Sequence, residues 1–325
     1  LLIFLIFFKD VRCLDNSAIV LIYHRFNQPE HRSTNIEIDL FAKQMEFLKQ
    51  NNFNILPLSD LILFLKKKKE LPSKSIFLTI DDGYKSIYEN AYPVLKQYSF
   101  PFSVFLSTDF VSSDKNSDFM SWEMIKELHL NEVEFFNHTS DHNSVLGKNE
   151  NEIIFSIKNA QKLLDEKLGE TKRVFSYPFG EYSNETKEIL EKLGFEIAFT
   201  QNSGPIHSND DKFSLSRFPI NDEYGKIERF KLITNTKPLK IISFYPKNPV
   251  LKDEKLEINF TSNFLAKNIK CYLDSSLKVT NIINNENQKK ITITGFKKKQ
   301  NYRMNCTRIK SAKEIYWYGR TFFAR

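Results

Sequence analysis

The chain has 325 residues, 41% of them hydrophobic and 27% charged, with 30 Phe, 13 Tyr and few Gly or Pro. This is a globular composition with ample core material, and the length favours two domains. The net charge of +7 is mild for the length. With no zinc-finger, RNA-binding or Gly-rich phosphate-loop signature, it gives no reason to expect a nucleic-acid partner.

The first eight residues, L-L-I-F-L-I-F-F, are apolar and precede Lys9 and Asp10. They are too short to span a bilayer. They fit the apolar part of a secretory signal cleaved between about Cys13 and Ser17, or a truncated membrane anchor. Residues 1–16 are therefore set apart from the fold. The chain is expected to be exported to the periplasm, cell envelope or exterior, with membrane association through this segment only. Export would make a Cys271–Cys306 disulfide plausible, although two buried thiols would look the same in sequence.

Residues 18–23, A-I-V-L-I-Y, read as a buried strand ending at His24-Arg25. Helical spacing follows over 38–51, a strand over 53–56, and a helix over 61–68 with Ser59-Asp60 as its cap. The Lys66–Lys69 run reads as a solvated helix end. Residues 76–80 form a β-branched and aromatic run that ends abruptly in Asp81, Asp82 and Gly83. Helices over 87–98, 122–130, 153–168 and 185–193 alternate with strands over 102–106, 133–137, 174–177 and 195–199. Such alternation indicates a parallel sheet or β/α barrel whose site lies at the carboxyl ends of the strands. Residues 17–236 are assigned to this unit. Beyond it helical periodicity disappears, and short strands over 241–245, 255–260, 269–273, 290–294, 302–307 and 315–318 predict a small all-β sandwich over 237–325.

Two constellations carry chemistry. Adjacent carboxylates such as Asp81 and Asp82 repel unless a cation, a proton or hydrogen bonds offset the charge. In N-H-T-S-D-H, residues 137–142, His138 and His142 are four apart, a metal-ligand spacing expected on a helical turn. Two His and one Asp can hold Zn2+ or another divalent ion and leave positions open for water and substrate. The second Asp is then free to act as general base.

The T-I-D-D-G of Thr79–Gly83, the H-T-S-D-H of His138–His142 and the S-Y-P-F-G of Ser176–Gly180 resemble, in that order, the three motifs of the polysaccharide deacetylases of the NodB-homology type, carbohydrate esterase family 4. The resemblance covers about residues 18–236 and implies a distorted (β/α) barrel. It also implies a divalent metal, Zn2+ first with Co2+ and Ni2+ as alternatives, and an N-acetylhexosamine polysaccharide as substrate. Carried over, it makes Asp81 the base, Asp82, His138 and His142 the ligands, and the Phe179 N–H, after Pro178, an oxyanion donor.

The chain departs from the commoner pattern in two places. Ser176 stands where an Arg is usual, and no Leu-x-His motif closes the β/α region. Both departures resemble the subgroup that includes the biofilm poly-N-acetylglucosamine deacetylases, in which a first-strand His is the acid. That residue is His24 here, with His207 as its rival, and Arg217 is the candidate for the displaced Arg that orients Asp81. His31 and His129 read as surface residues. Tyr84, Tyr177, Pro178 and Tyr182 are candidate substrate contacts, with Trp122 open between sugar stacking and core packing. Two other classes are weighed: an inactive carbohydrate-binding protein that keeps the fold, which the complete residue set argues against, and a non-haem Fe(II) oxygenase, disfavoured by the second Asp.

Overall fold

In a computed structural model, which describes residues 14–111, 118–312 and 314–325, the apolar runs become a curled parallel sheet. Its strands are β1 (Ser17–Tyr23), β2 (Ser75–Asp82), β3 (Ser103–Leu106), β4 (Glu134–Asn137), β5 (Val174–Ser176) and β6 (Ile197–Phe199). They pair side by side in chain order, β1 beside β2 and on to β6. The signal or anchor expected over 1–16 lies, apart from residues 14–16, outside the described residues. Leu14–Asp15 pairs antiparallel with Leu71–Pro72. Among the described residues no helix is long and apolar enough to cross a membrane.

Side-chain alternation sorts each strand onto two faces. Along β2, Ile76, Leu78 and Ile80 pack into the cluster shared with helices α1 (Ile38–Gln50), α3 (Tyr92–Tyr98) and α4 (Trp122–Leu130). Phe77 faces the other way, into a cluster with Phe105, Phe136 and Phe199. Helix α2 (Leu58–Leu65) contributes Leu61, Ile62 and Leu65 to that cluster. The expected Ser59-Asp60 cap does not form, because α2 begins one residue before Ser59 and its N-cap position is Pro57. The Glu134 carboxylate on β4 accepts from the N–H groups of Leu58 (2.7 Å) and Ser59 (3.2 Å) instead, where a negative charge also meets the positive helix end. Helices α5 (Glu150–Leu168), α6 (Asn184–Lys192) and α7 (Ile227–Ile233) complete the outer layer.

The gap between β6 and β1 is bridged by one segment. Its amides bond Ala198 and Thr200 around Leu215, and then Phe218–Pro219 runs parallel to β1 opposite Leu21 and Ile22. Arg217 sits between these two attachments. The expected distorted barrel is thus drawn together at the point where its first and last strands meet.

The C-terminal unit contains two sheets around one apolar core. One is ordered β7 (Ile241–Tyr245), β8 (Lys255–Ser262), β11 (Gln288–Thr294) and β10 (Lys278–Asn285). The other joins β9 (Lys270–Leu273), β12 (Gln300–Ser311) and β13 (Glu314–Ala324). Alternate residues of β8, including Leu256, Ile258 and Phe260, are buried against Ile293, Met304 and Phe322. Cys271 and Cys306 lie opposite each other on β9 and β12 and form a disulfide. Strand β10 was not expected: its side chains are exposed throughout, so no apolar alternation marks it.

Candidate active site

Asp81 follows Phe77 and Thr79 on the inward face of β2, at the strand's carboxyl end. It is fully buried beside fully buried Arg217. The guanidinium binds it bidentately, Nη1 to Oδ1 and Nη2 to Oδ2, each at 2.8 Å. Ser176 donates its hydroxyl to Oδ2 at 2.9 Å, and Arg217 Nη2 donates to the same hydroxyl at 2.7 Å. Ser176 therefore leaves the room that Arg217 fills from the bridging segment, with Phe105 and Phe199 beside its guanidinium. Burial alone would raise the Asp81 pKa, but Arg217 and His138 hold it below the usual carboxylate value.

Strict alternation would turn Asp82 away from Asp81. A left-handed backbone (φ 76°) ends the strand at Asp82 and returns its carboxylate to the cleft. The turn also needs Gly83, whose φ is 91° and where an added Cβ would lie 2.6 Å from Leu106. Asp82 Oδ1 is buried with no hydrogen-bond donor, yet His138 Nε2 and His142 Nε2 lie 3.3 and 3.1 Å from it. An orphaned carboxylate oxygen facing two imidazole nitrogens is a donor set that could hold a divalent transition metal. The three donor atoms lie within 4.8 Å of one another. His138 Nδ1 donates to the Ser176 carbonyl at 2.7 Å, which leaves the Nε2 lone pair for a metal. Burial would raise the Asp82 pKa, but the facing imidazoles of His138 and His142 bring it well below the usual value.

The two histidines do not share a helical turn. Thr139 and His142 have φ values of 66° and 49°. The loop is held by side chains: Asn137 Oδ1 accepts from the Thr139 N–H at 2.9 Å, and Thr139 Oγ1 accepts from the His142 N–H at 3.0 Å. Short polar side chains that bond nearby backbone favour such turns over helix.

His24 is half-buried at the end of β1. Tyr23 pairs with Ile80 across β1 and β2, so His24 and Asp81 leave neighbouring strands at the same level, with backbones about 4.8 Å apart. Burial lowers the His24 pKa against the opposing pull of Asp82 and Asp81. His207 lies on a two-residue strand, antiparallel to β1 and opposite Ser17. That is the amino end of β1, roughly 20 Å of strand away from His24, so His207 is placed away from the cleft.

Phe179 adopts φ 58° in the Pro178–Gly180 turn, and its half-exposed ring packs edge-on against His142 with centroids 4.8 Å apart. Tyr84 is partly exposed at the cleft. Its hydroxyl is pushed up to about 12 by burial and by Asp82. The Arg25 guanidinium covers its ring at 3.4 Å, a contact whose only sequence cue was the neighbourhood of His24. Three of the candidate substrate contacts are buried. Tyr177 and Tyr182 are fully buried in a cluster with Phe175 and Phe323, and the Tyr177 hydroxyl donates to the Phe213 carbonyl, so neither ring can meet a sugar. Pro178 is likewise buried. Trp122 packs against the apolar cluster outside the sheet, with Lys167 above it.

Residues 68–198 match the family model for polysaccharide deacetylase. Over these residues the chain is similar to that family. His24 and Arg217 fall on either side of the matched residues, as contributions of β1 and of the bridging segment. A poly-beta-1,6-N-acetyl-D-glucosamine N-deacetylase of Staphylococcus aureus is 27% identical over 240 residues, covering 66% of this chain and 82% of that protein. The deacetylase fold is also shared with IcaB from Ammonifex degensii (27% identity, TM-score 0.62, 68% of this chain and 97% of that one). It is shared again with the Streptococcus pyogenes deacetylase PplD, solved with acetate (22% identity, TM-score 0.62, 67% and 98%).

Proposed function

We propose that this chain is a polysaccharide deacetylase, a divalent-metal-dependent enzyme that removes N-acetyl groups from an N-acetylhexosamine polymer outside the cytoplasm. The observation that carries the reading is the convergence of Asp82, His138 and His142 beside an Asp81 held ionised by Arg217. The similarity to a poly-N-acetylglucosamine deacetylase supports the substrate class, and the Cys271–Cys306 disulfide supports an oxidising location.

Asp82 Oδ1, His138 Nε2 and His142 Nε2 would hold the metal, with Zn2+ the best fit to this donor set. When bound, the cation polarises the acetyl carbonyl and lowers the pKa of a water beside it. Asp81 takes the proton of the attacking water, and its bidentate hold on Arg217 aims it. The Phe179 N–H donates to the oxygen that becomes negative in the tetrahedral state. His24, at the end of the strand beside that of Asp81, gives a proton to the departing amine. Tyr84, backed by Arg25, is the aromatic left open to a sugar ring.

The test is acetate release from a panel of N-acetylated glycans, with and without chelator. Chelator-sensitive release that is lost in Asp81→Asn supports the reading. Release that persists through both treatments overturns it.

A further inference from the structure

We infer that the C-terminal β unit is a splint for the catalytic loops, with Arg325 and Asn301 as positioning residues for the reaction. The inference rests on the deacetylase reading above. It starts from Glu181, which directly follows the Pro178–Gly180 turn and is only 6% exposed. A carboxylate buried to that degree needs partners for its charge and its lone pairs. It has three. Ser144, two residues after the ligand candidate His142, donates its hydroxyl to Oε2. Asn301 on β12 donates to Oε1 at 2.6 Å. Arg325, just beyond β13, reaches Oε1 at 2.5 Å. Arg325 also donates to the Asn301 side-chain oxygen at 3.1 Å, so these two partners are themselves linked. One carboxylate thus joins the loop of His142 to the turn of Phe179, and the sandwich neutralises it.

A second contact reaches Asp81 from the same strand. Asn202 accepts the Arg217 N–H through its backbone carbonyl at 2.9 Å. Its side-chain oxygen accepts the Thr321 N–H of β13 at 2.8 Å. Beside it, Gly319 lies so close that an added Cβ would come within 2.1 Å of the Ser203 carbonyl oxygen. Phe323 packs edge-on against Tyr182, and Trp317 against Phe218, the neighbour of Arg217. Phe179 therefore lies two residues from Glu181, His142 lies two residues from the Ser144 that Glu181 binds, and Asp81 is gripped by an Arg217 whose N–H is held by Asn202. The matched deacetylase model ends at residue 198, so this support comes from residues beyond it.

The experiment uses the full chain loaded with metal, and measures acetate release from an N-acetylglucosamine oligomer. Arg325→Ala is expected to lower kcat by about tenfold or more, since small misplacements of reacting groups are costly. KM should stay within about twofold, because only transition-state alignment is lost. Arg325→Lys should recover part of kcat. A second readout is independent of turnover: the visible absorption of bound Co2+ should differ between wild type and Arg325→Ala, because the His142 loop has shifted. Unchanged kcat, or a raised KM at constant kcat, overturns the inference. If Arg325→Ala does not fold, Asn301→Ala is read by the same criteria. A wild type that releases no acetate defeats the deacetylase reading instead, and the cobalt spectra then decide the splint, with identical spectra overturning it.

Discussion

The carboxyl end of the barrel and the core of the sandwich bury their side chains for opposite reasons. In the sandwich, Ile258, Phe260, Ile293 and Phe322 fill the space between two sheets, and each gains by leaving water. At the barrel end, Asp81, Arg217 and His138 are as deeply buried, although removing charge from water is costly unless it is paired and hydrogen-bonded. The lesson is that depth alone does not tell what a residue is for. A substitution in the apolar core of the sandwich should cost stability and spare chemistry, whereas one at the barrel end should do the reverse or do both.

The sharpest break of that comparison is His138→Ala. It should abolish stoichiometric divalent-metal binding and turnover while the protein stays folded. One tightly held ion per chain in the variant, measured by metal analysis after dialysis, would sink the ligand assignment. Asp81→Asn comes next. It should lower kcat by about a hundredfold to ten-thousandfold, the usual weight of a general base, and retain the metal. If Asp81→Asn and Asp82→Asn lose metal alike, the division of roles between them is wrong.

His24→Ala should cost about a hundredfold in kcat as the loss of a general acid, whereas His207→Ala, at the far end of β1, should leave kcat unchanged. Equal losses would return the acid to the open list.

Arg217→Gln tests burial against pairing through pH. In the wild type the folded Asp81 pKa lies below its unfolded value. Its stabilisation is therefore present above the unfolded value and is lost as pH falls through the lower folded one. Without Arg217, burial raises the folded pKa above the unfolded value. The variant then carries a penalty that grows as pH rises through about 3.9. The stability difference between wild type and variant, measured on metal-free protein by urea unfolding, should reach about 3–5 kcal/mol near neutral pH and shrink in acid. A difference that does not vary with pH would mean that Arg217 does not set the charge of Asp81.

The mildest effect on chemistry is expected from the sandwich core. Phe260→Ala should cost about 3–5 kcal/mol of stability, with kcat per folded molecule unchanged. A fall in kcat would extend the splint beyond β12 and β13 into the far sheet.

Read from the amino acids alone, the alternation of apolar runs placed the barrel strands, most of the helices and the change to an all-β unit, because burial imposes periods of 2 and 3.6 on any chain. The motif residues Asp81, Asp82, His138 and His142 were legible for a related reason: carboxylates and imidazoles at strand ends have few structural uses. Tertiary structure decided what local pattern does not encode. It put Tyr177 and Tyr182 inside the core, because exposure depends on what packs over a ring. It capped α2 with Glu134 from another strand and made the His138–His142 segment a side-chain-tied loop, since hydrogen-bond partners are chosen in space. It brought Arg217 onto Asp81 through the segment that spans β6 and β1, and it set Arg325 and Asn301 on Glu181. Those pairings join residues more than a hundred positions apart, and only the closure of the fold brings them within hydrogen-bonding distance.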